Sequence, residues 1–129
     1  MFTIEQIKEA HAKVKSGADF PNYIQDLIIL GVKGYDTFVN DGNVQYYGVN
    51  NYTVASEEKY DAIAIAPVAN KERFIEFLVM HQDGQTDYLT FCHHAGQCGI
   101  AQWRVNIIEM TCTYFDSADS ELLIEKISV

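Results

Sequence analysis

DFPNYIQDLIILGVKGYDTFVNDGNVQYY, residues 19–47, lies without a gap over DYLTFCHHAGQCGIAQWRVNIIEMTCTYF, residues 87–115, when the chain is slid along itself by 68 positions (19 to 87). Asp19 meets Asp87, Gly31 meets Gly99 and Tyr46 meets Tyr114. Similar residues meet at Phe20/Tyr88, Tyr23/Phe91, Val32/Ile100, Tyr35/Trp103, Val39/Ile107, Asp41/Glu109 and Tyr47/Phe115. Upstream the slide is 67 (7 to 74), and it brings Ile7 onto Phe74, His11 onto Leu78, Val14 onto His81 and Gly17 onto Gly84. Self-similarity at a fixed offset points to two related modules, about 1–66 and 67–129, too short and apolar to stand alone and so sharing one core. Each module is then a control on the other: chemistry in one can be weighed against what the other tolerates at that position.

Outward from this stretch, the same element order reads twice. Thr3 is a helix N-cap, Gln6 three residues on completes a capping box, and Phe2 can staple onto Ile7. Ile4, Ile7, His11 and Val14 share one helical face, and Gly17 is the expected stop. A second helix starts near Pro21 and ends at Gly31, with Tyr23, Leu27 and Leu30 inward. Lys33–Val39 alternates as a strand, Asn40-Asp41-Gly42-Asn43 is a turn, and Val44–Tyr47 returns antiparallel. Tyr52–Ala55 is a third strand, and Ala62–Ile65 adds a short one.

In the second module a helix runs from about Asn70 to Gln82, with Phe74, Phe77, Leu78 and His81 on one face and Gly84 at its end. Asp87 caps a helix through Cys98, as Asp19 is expected to cap its counterpart. Strands follow at about Gln102–Ile108, Met110–Phe115 and Glu121–Ile127, the last two joined by Ser117-Ala118-Asp119-Ser120. Amphipathic helices must cover a sheet face. The expected class is therefore α+β, a two-layer domain with a mostly antiparallel sheet and an internal duplication of a helix-helix-strand-strand-strand module. Strand parity puts Tyr35, Thr37, Val39, Trp103, Val105 and Ile107 on the covered face. Asp36, Phe38, Arg104 and Asn106 fall on a mixed, part-open face.

Composition narrows the function classes. The 129 residues carry 9 Lys and Arg against 18 Asp and Glu, a net charge of −9 that disfavours phosphate-rich partners, so neither nucleic acid nor an anionic membrane is expected. The apolar content of 48 % is ordinary for a folded soluble chain, and no apolar run approaches a membrane span. MFTIEQIKEAH reads as a helix rather than a signal core. Three cysteines cannot all pair within one chain, which suits reduced thiols and a cytoplasmic setting.

Three groups of side chains could carry chemistry. Cys92, His93, His94 and Cys98 offer thiolate and imidazole, the ligands of zinc, with His81 or Cys112 as further donors. The spacing fits no standard zinc ribbon or knuckle. All three cysteines align with aliphatic residues of the other module (Ile24, Leu30, Val44), and His93 and His94 align with Gln25 and Asp26, which reads as buried thiols beside solvent-facing helix positions. His11 and His81 lie on apolar helix stripes, each opposite an aliphatic residue, and would make a site if they converge near the twofold between modules. Tyr35, Tyr46, Tyr47, Tyr52, Tyr60, Tyr88, Tyr114 and Trp103 form a large aromatic set. Within it Tyr46 and Tyr47 must point to opposite faces, so Tyr47, with Phe38 and Arg104, is a ligand-contact candidate on the open sheet face. Glu57, Glu58 and Lys59 read as a solvated turn. No Gly-rich phosphate loop, Gly-x-Ser-x-Gly elbow or His-Glu-x-x-His is present.

FTIEQIKEAHAKVKSGADFPNYIQDL, GVKGYDTFVNDG, TDYLTFCHHA, MTCTYFD and IEKI together resemble, end to end, a family of bacterial proteins of about this length that is classed as a domain of unknown function. Members are sometimes labelled phage envelope proteins. The resemblance implies a bacterial, cytoplasmic, single-domain protein; it supplies no activity and hence no catalytic residue. Where the family pattern has Pro after the Asp-Tyr pair, Leu89 stands here, which bears only on the start of one helix.

The leading expectation is a binding or protein-interaction domain without catalytic activity, needing no cofactor. Its partner would be a small molecule or a protein, and its edge strands would allow a homodimer. The alternatives are an enzyme using His11, His81 or Cys92 in a cleft, and a structural protein stabilised by a metal.

Overall fold

The computed structural model describes residues 1–15 and 19–127. Helix α1 (Ile4–His11) opens on the reciprocal pair that the Thr-x-x-Gln spacing predicts: Gln6 N–H donates to Thr3 Oγ1 at 3.2 Å and Thr3 N–H donates to Gln6 Oε1 at 2.9 Å. Phe2 is buried in the same core as Ile7 and lies edge-on against Tyr52 at 4.9 Å, with the Tyr52 hydroxyl donating to the Phe2 carbonyl at 2.6 Å. α1 is shorter than its apolar stripe suggests, leaving Val14 beyond its end; the expected stop at Gly17 lies outside the described residues. α2 (Phe20–Leu30) carries Pro21 in its first turn and ends at Gly31, whose φ of 93° suits a residue without a Cβ. Its buried residues are Tyr23, Ile24 and Leu27, so Ile24 takes the place expected for half-buried Leu30. Asp19 is no side-chain cap: its carboxylate instead accepts Lys15 N–H at 2.8 Å.

Strands β1 (Gly34–Phe38), β2 (Val44–Tyr47) and β3 (Thr53–Ala55) follow, then α3 (Lys71–Gln82), α4 (Tyr88–Gln97), β4 (Ile100–Asn106), β5 (Thr111–Asp116) and β6 (Glu121–Lys126). Asn70 caps α3 through Arg73 N–H at 3.1 Å, and Asp87 caps α4 through Thr90 N–H at 2.8 Å. The segment Ala62–Ile65 is not a strand. Its backbone bonds go singly to a turn and a helix end, Ile63 N–H to Asn40 O at 2.7 Å and Ala66 N–H to Gly96 O at 2.9 Å, so no ladder extends. It is a strap pressed on α4 at Gly96, where a Cβ would stand 2.8 Å from Ile63 Cγ2 and 2.9 Å from Ala64 O.

The fold is α+β: among the described residues there are four α-helices and one six-stranded, wholly antiparallel sheet in the order β3-β2-β1-β4-β5-β6. The order reads outward from the central β1/β4 pair, in which Asp36 faces Arg104, 68 positions on. The helices cover the face that parity assigned: Tyr23 of α2 meets Tyr35 at 6.3 Å, Phe91 of α4 meets Trp103 at 5.5 Å, and Phe74 of α3 meets Tyr114 at 4.9 Å. Buried residues from every helix and from β1, β2, β4 and β5 join in a single core.

Candidate functional site

Side chains on that covered face are large, and the helices cannot close completely over them. Between the layers lies a cavity of about 440 Å³. Its floor is Tyr35 and Thr37 of β1 beside Trp103 and Val105 of β4, flanked by Tyr46 of β2 and Tyr114 of β5. Its walls are Phe20 and Tyr23 from the start of α2 and Tyr88 and Phe91 from the start of α4. His11 and Val14 reach it from α1 and the segment after it, and Leu78 and His81 reach it from α3. The two histidines thus converge on one space. A volume of this size, mostly apolar with a few polar groups, falls within the range of ligand sites.

The polar groups around the cavity differ in how they are satisfied. The Tyr23 and Tyr46 hydroxyls lie 3.4 Å apart, and burial raises the pKa of both phenols. Burial likewise holds Tyr35 well above the usual phenol range. Among the described residues, neither the Tyr35 hydroxyl nor the Trp103 indole N–H has a hydrogen-bond partner, although both residues are more than nine-tenths buried and both line the cavity. Unlike the His94 Nδ1, neither atom is sealed off by protein, so water or a guest molecule in the cavity can complete its bonding.

His81 stacks on Phe91 at 4.4 Å, and its Nδ1 lies 3.2 Å from both the carbonyl oxygen and the hydroxyl of Thr86. A carbonyl only accepts, so neutral His81 carries its proton on Nδ1 and keeps a lone pair on Nε2. His11 stands edge-on to Tyr23 at 5.3 Å and to Tyr88 at 5.9 Å. Burial lowers both imidazole pKa values, and the nearby Lys59 lowers that of His11 further. Both are therefore neutral near pH 7.

Charge at the cavity runs against the charge of the chain. Lys15 and Lys59 line it, whereas Glu125 is the only carboxylate among the described lining residues. Glu125 accepts from Gln82 Nε2 at 3.2 Å. Lys126 also borders the cavity, but its neighbour Glu125 pairs with inward-facing Cys112, so alternation turns the Lys126 side chain to the other face. Glu57, Glu58 and Lys59 are all exposed, as a solvated turn requires, and Lys59 also borders the cavity, where desolvation lowers its pKa.

The remaining sequence candidates lie elsewhere. Cys92, Cys98 and Cys112 are unpaired and buried, and burial raises each thiol pKa, that of Cys112 to about 12. Cys92 is fully buried and is not among the cavity-lining residues. No group of three or more His, Cys, Asp or Glu side chains among the described residues is placed to hold a metal ion. His93 is exposed, as expected for a solvent-facing position, whereas His94 is half-buried: it stacks on Phe77 at 3.8 Å, and its buried Nδ1 has no partner among the described residues. On the opposite sheet face, Asp36 is 5 % exposed and accepts from Arg104 Nε at 2.8 Å and from the Tyr47 hydroxyl at 2.5 Å. Arg104 also lies over the Phe115 ring at 5.5 Å. Tyr47 and Arg104 are thus occupied with the fold's own carboxylate, and half-buried Phe38 is paired with Gln102.

Tyr23, Tyr35, Tyr46, Tyr88 and Trp103 were legible as aromatic positions but not as one site. The signal was present in the alignment of the chain with itself, because Phe20/Tyr88, Tyr23/Phe91, Tyr35/Trp103 and Tyr46/Tyr114 all line the cavity.

No helix of the described residues is long and apolar enough to cross a membrane. No curated protein matches the chain. A family model described as "Protein of unknown function (DUF1398)" matches residues 8–126, nearly the whole chain, and the chain therefore belongs to that family.

Proposed function

We propose that this chain is a small-molecule-binding domain whose ligand enters the aromatic cavity between helices and sheet, and that the fold arose by internal duplication. The observation that carries the binding reading is the convergence of His11, His81, Trp103 and Tyr35 on one space of about 440 Å³. Packing alone gives no reason to leave such a space, because protein interiors otherwise approach crystal density. Support for the duplication comes from the backbone. Six of the eight left-handed residues among those described pair at the same offset of 68: Gly31 with Gly99 (φ 93° and 79°), Gly42 with Met110 (77° and 55°), and Asn51 with Asp119 (63° and 61°). The pairing Tyr35↔Tyr46 recurs as Trp103↔Tyr114, and the axis between modules passes through the Asp36/Arg104 pair. On this reading the cavity sits on the axis, built from equivalent positions that have diverged in polarity. Three buried, unpaired thiols support a cytoplasmic setting.

The test is a neutral fluorescent probe, N-phenyl-1-naphthylamine, titrated into the native protein. The expected result is saturable enhancement at one probe per chain that is abolished by Val105→Phe on the cavity floor. Enhancement that is absent, or unchanged in that variant, would reject the cavity as the binding site.

A second reading, general acid–base catalysis, draws on the His81 lone pair at Nε2 and on His11 in the same cavity. It requires a bound substrate first. The binding test therefore precedes it.

A further inference from the structure

Resting on the binding reading above, we infer that the cavity takes a planar aromatic anion, its charged group at the Lys59/His11 end and its ring over Trp103 and Tyr35. The chain has twice as many carboxylates as Lys and Arg, 18 against 9, so a randomly placed pocket would be lined mainly by acids. Among the described lining residues the cations are exposed Lys15 and Lys59, with Lys126 turned away, against one carboxylate, Glu125, already bonded to Gln82 at the α3/β6 side. Lys59 is close enough to His11 to influence its titration, which places cation and imidazole on the same side. An ammonium in a partly desolvated setting gains most from an anion that enters with it.

The ring geometry selects the rest of the guest. His11 is perpendicular to Tyr88 (82°), and Tyr88 is perpendicular to Trp103 (83°), so a series of edge-to-face contacts leads from the cationic end to the floor. A flat guest meets both ring faces and ring edges there, the arrangements that aromatic pairs prefer. At the floor the Tyr35 hydroxyl and the Trp103 N–H have no protein partner among the described residues and can donate to an oxygen or to the π-face of the guest. A cation would meet Lys59 and Lys15, and a bulky saturated guest would forgo the edge-to-face contacts.

Three probes of one shape test this by isothermal titration calorimetry at low salt: naphthalene-2-carboxylate, naphthalene-2-methanol and naphthalene-2-methylammonium. The carboxylate is expected to bind at least tenfold tighter than the alcohol, and the ammonium not to bind. Lys59→Met should reduce the preference for carboxylate over alcohol to under threefold, and Lys59→Arg should restore it. Lys59 is exposed as a residue, so these variants keep the fold. Equal binding of all three probes would overturn the charge inference and leave the cavity reading intact. Binding of none would overturn both. A carboxylate preference that survives in Lys59→Met would remove Lys59 as its source and reject the proposed orientation.

Discussion

If the space between helices and sheet is open, adding volume there should be tolerated, and adding it elsewhere in the core should not. Val105 is 1 % exposed and lines the cavity floor; Ala95 is 0 % exposed, lies on α4 and is not among the lining residues. Inserting carbon into a well-packed core costs about 1–3 kcal/mol. Ala95→Leu should cost at least that. Val105→Phe suits a strand and places about 50 Å³ of ring in a void, and at roughly 24 cal/mol per Å³ of cavity removed this recovers about 1.2 kcal/mol against the strain of fitting. Its net stability should fall within about 1 kcal/mol of the parent. Urea unfolding followed by far-UV circular dichroism reads the difference without relying on Trp103, which lines the cavity itself. With a slope of about 2 kcal/mol per M, Ala95→Leu should lower the midpoint by about 1 M and Val105→Phe by less than about 0.5 M. Equal losses in the two variants would mean that the cavity is not open space, and the binding reading would lose its basis.

Further outcomes follow from the same contacts. Gly96→Ala pushes a methyl to 2.8 Å from Ile63 Cγ2 and 2.9 Å from Ala64 O, so it should destabilise by about 1–3 kcal/mol in the urea assay; a neutral result would mean that the strap moves freely. Asp36→Asn keeps the shape but removes the charge that Arg104 meets at 2.8 Å. Because the Arg104 side chain is 55 % exposed, the cost should be only about 1–2 kcal/mol, and a double-mutant cycle with Arg104→Ala should return coupling within that range. His11, His81 and His94 all have pKa values lowered by burial, so the unfolded chain binds protons that the native state refuses. Their contribution is fully present above the unfolded value of 6.5 and is lost as pH falls through the lower folded values. The urea midpoint should be lower at pH 5.5 than at pH 7.5, and an equal or higher midpoint at pH 5.5 would contradict the burial of these rings.

The local chemistry of the fold was readable because short-range rules decide it. Thr3 and Gln6 three residues apart form their box whatever surrounds them, and Val44–Tyr47 returns where the Asn-Asp-Gly-Asn turn requires. Strand alternation correctly turned Tyr35 and Trp103 toward the helices and Asp36 and Arg104 away. Long-range packing was not readable. Ala62–Ile65 has strand-like residues but finds a turn and a helix end as its neighbours, and only the folded arrangement decides that. Lys59 is the exposed turn residue its neighbours suggest, and only the folded arrangement brings it to the border of the cavity. His94, which the slide of 68 positions sets against Asp26, finds Phe77 one helix away. The cavity was hidden for a related reason: parity says which side chains face inward, not whether the opposing layer fills the space between them.

The central claim is most directly tested by following the single indole N–H of the chain, that of Trp103, in a ¹H–¹⁵N spectrum while naphthalene-2-carboxylate is added. Trp103 lines the cavity floor, and Thr113 and Ile124 pair on the opposite sheet face. A saturable shift of the indole signal at one probe per chain, with the Thr113 and Ile124 amides undisturbed, is the predicted result. Shifts confined to Thr113, Ile124 and the surroundings of Tyr47 and Arg104, with the indole signal unmoved, would place binding on the open sheet face and contradict the account.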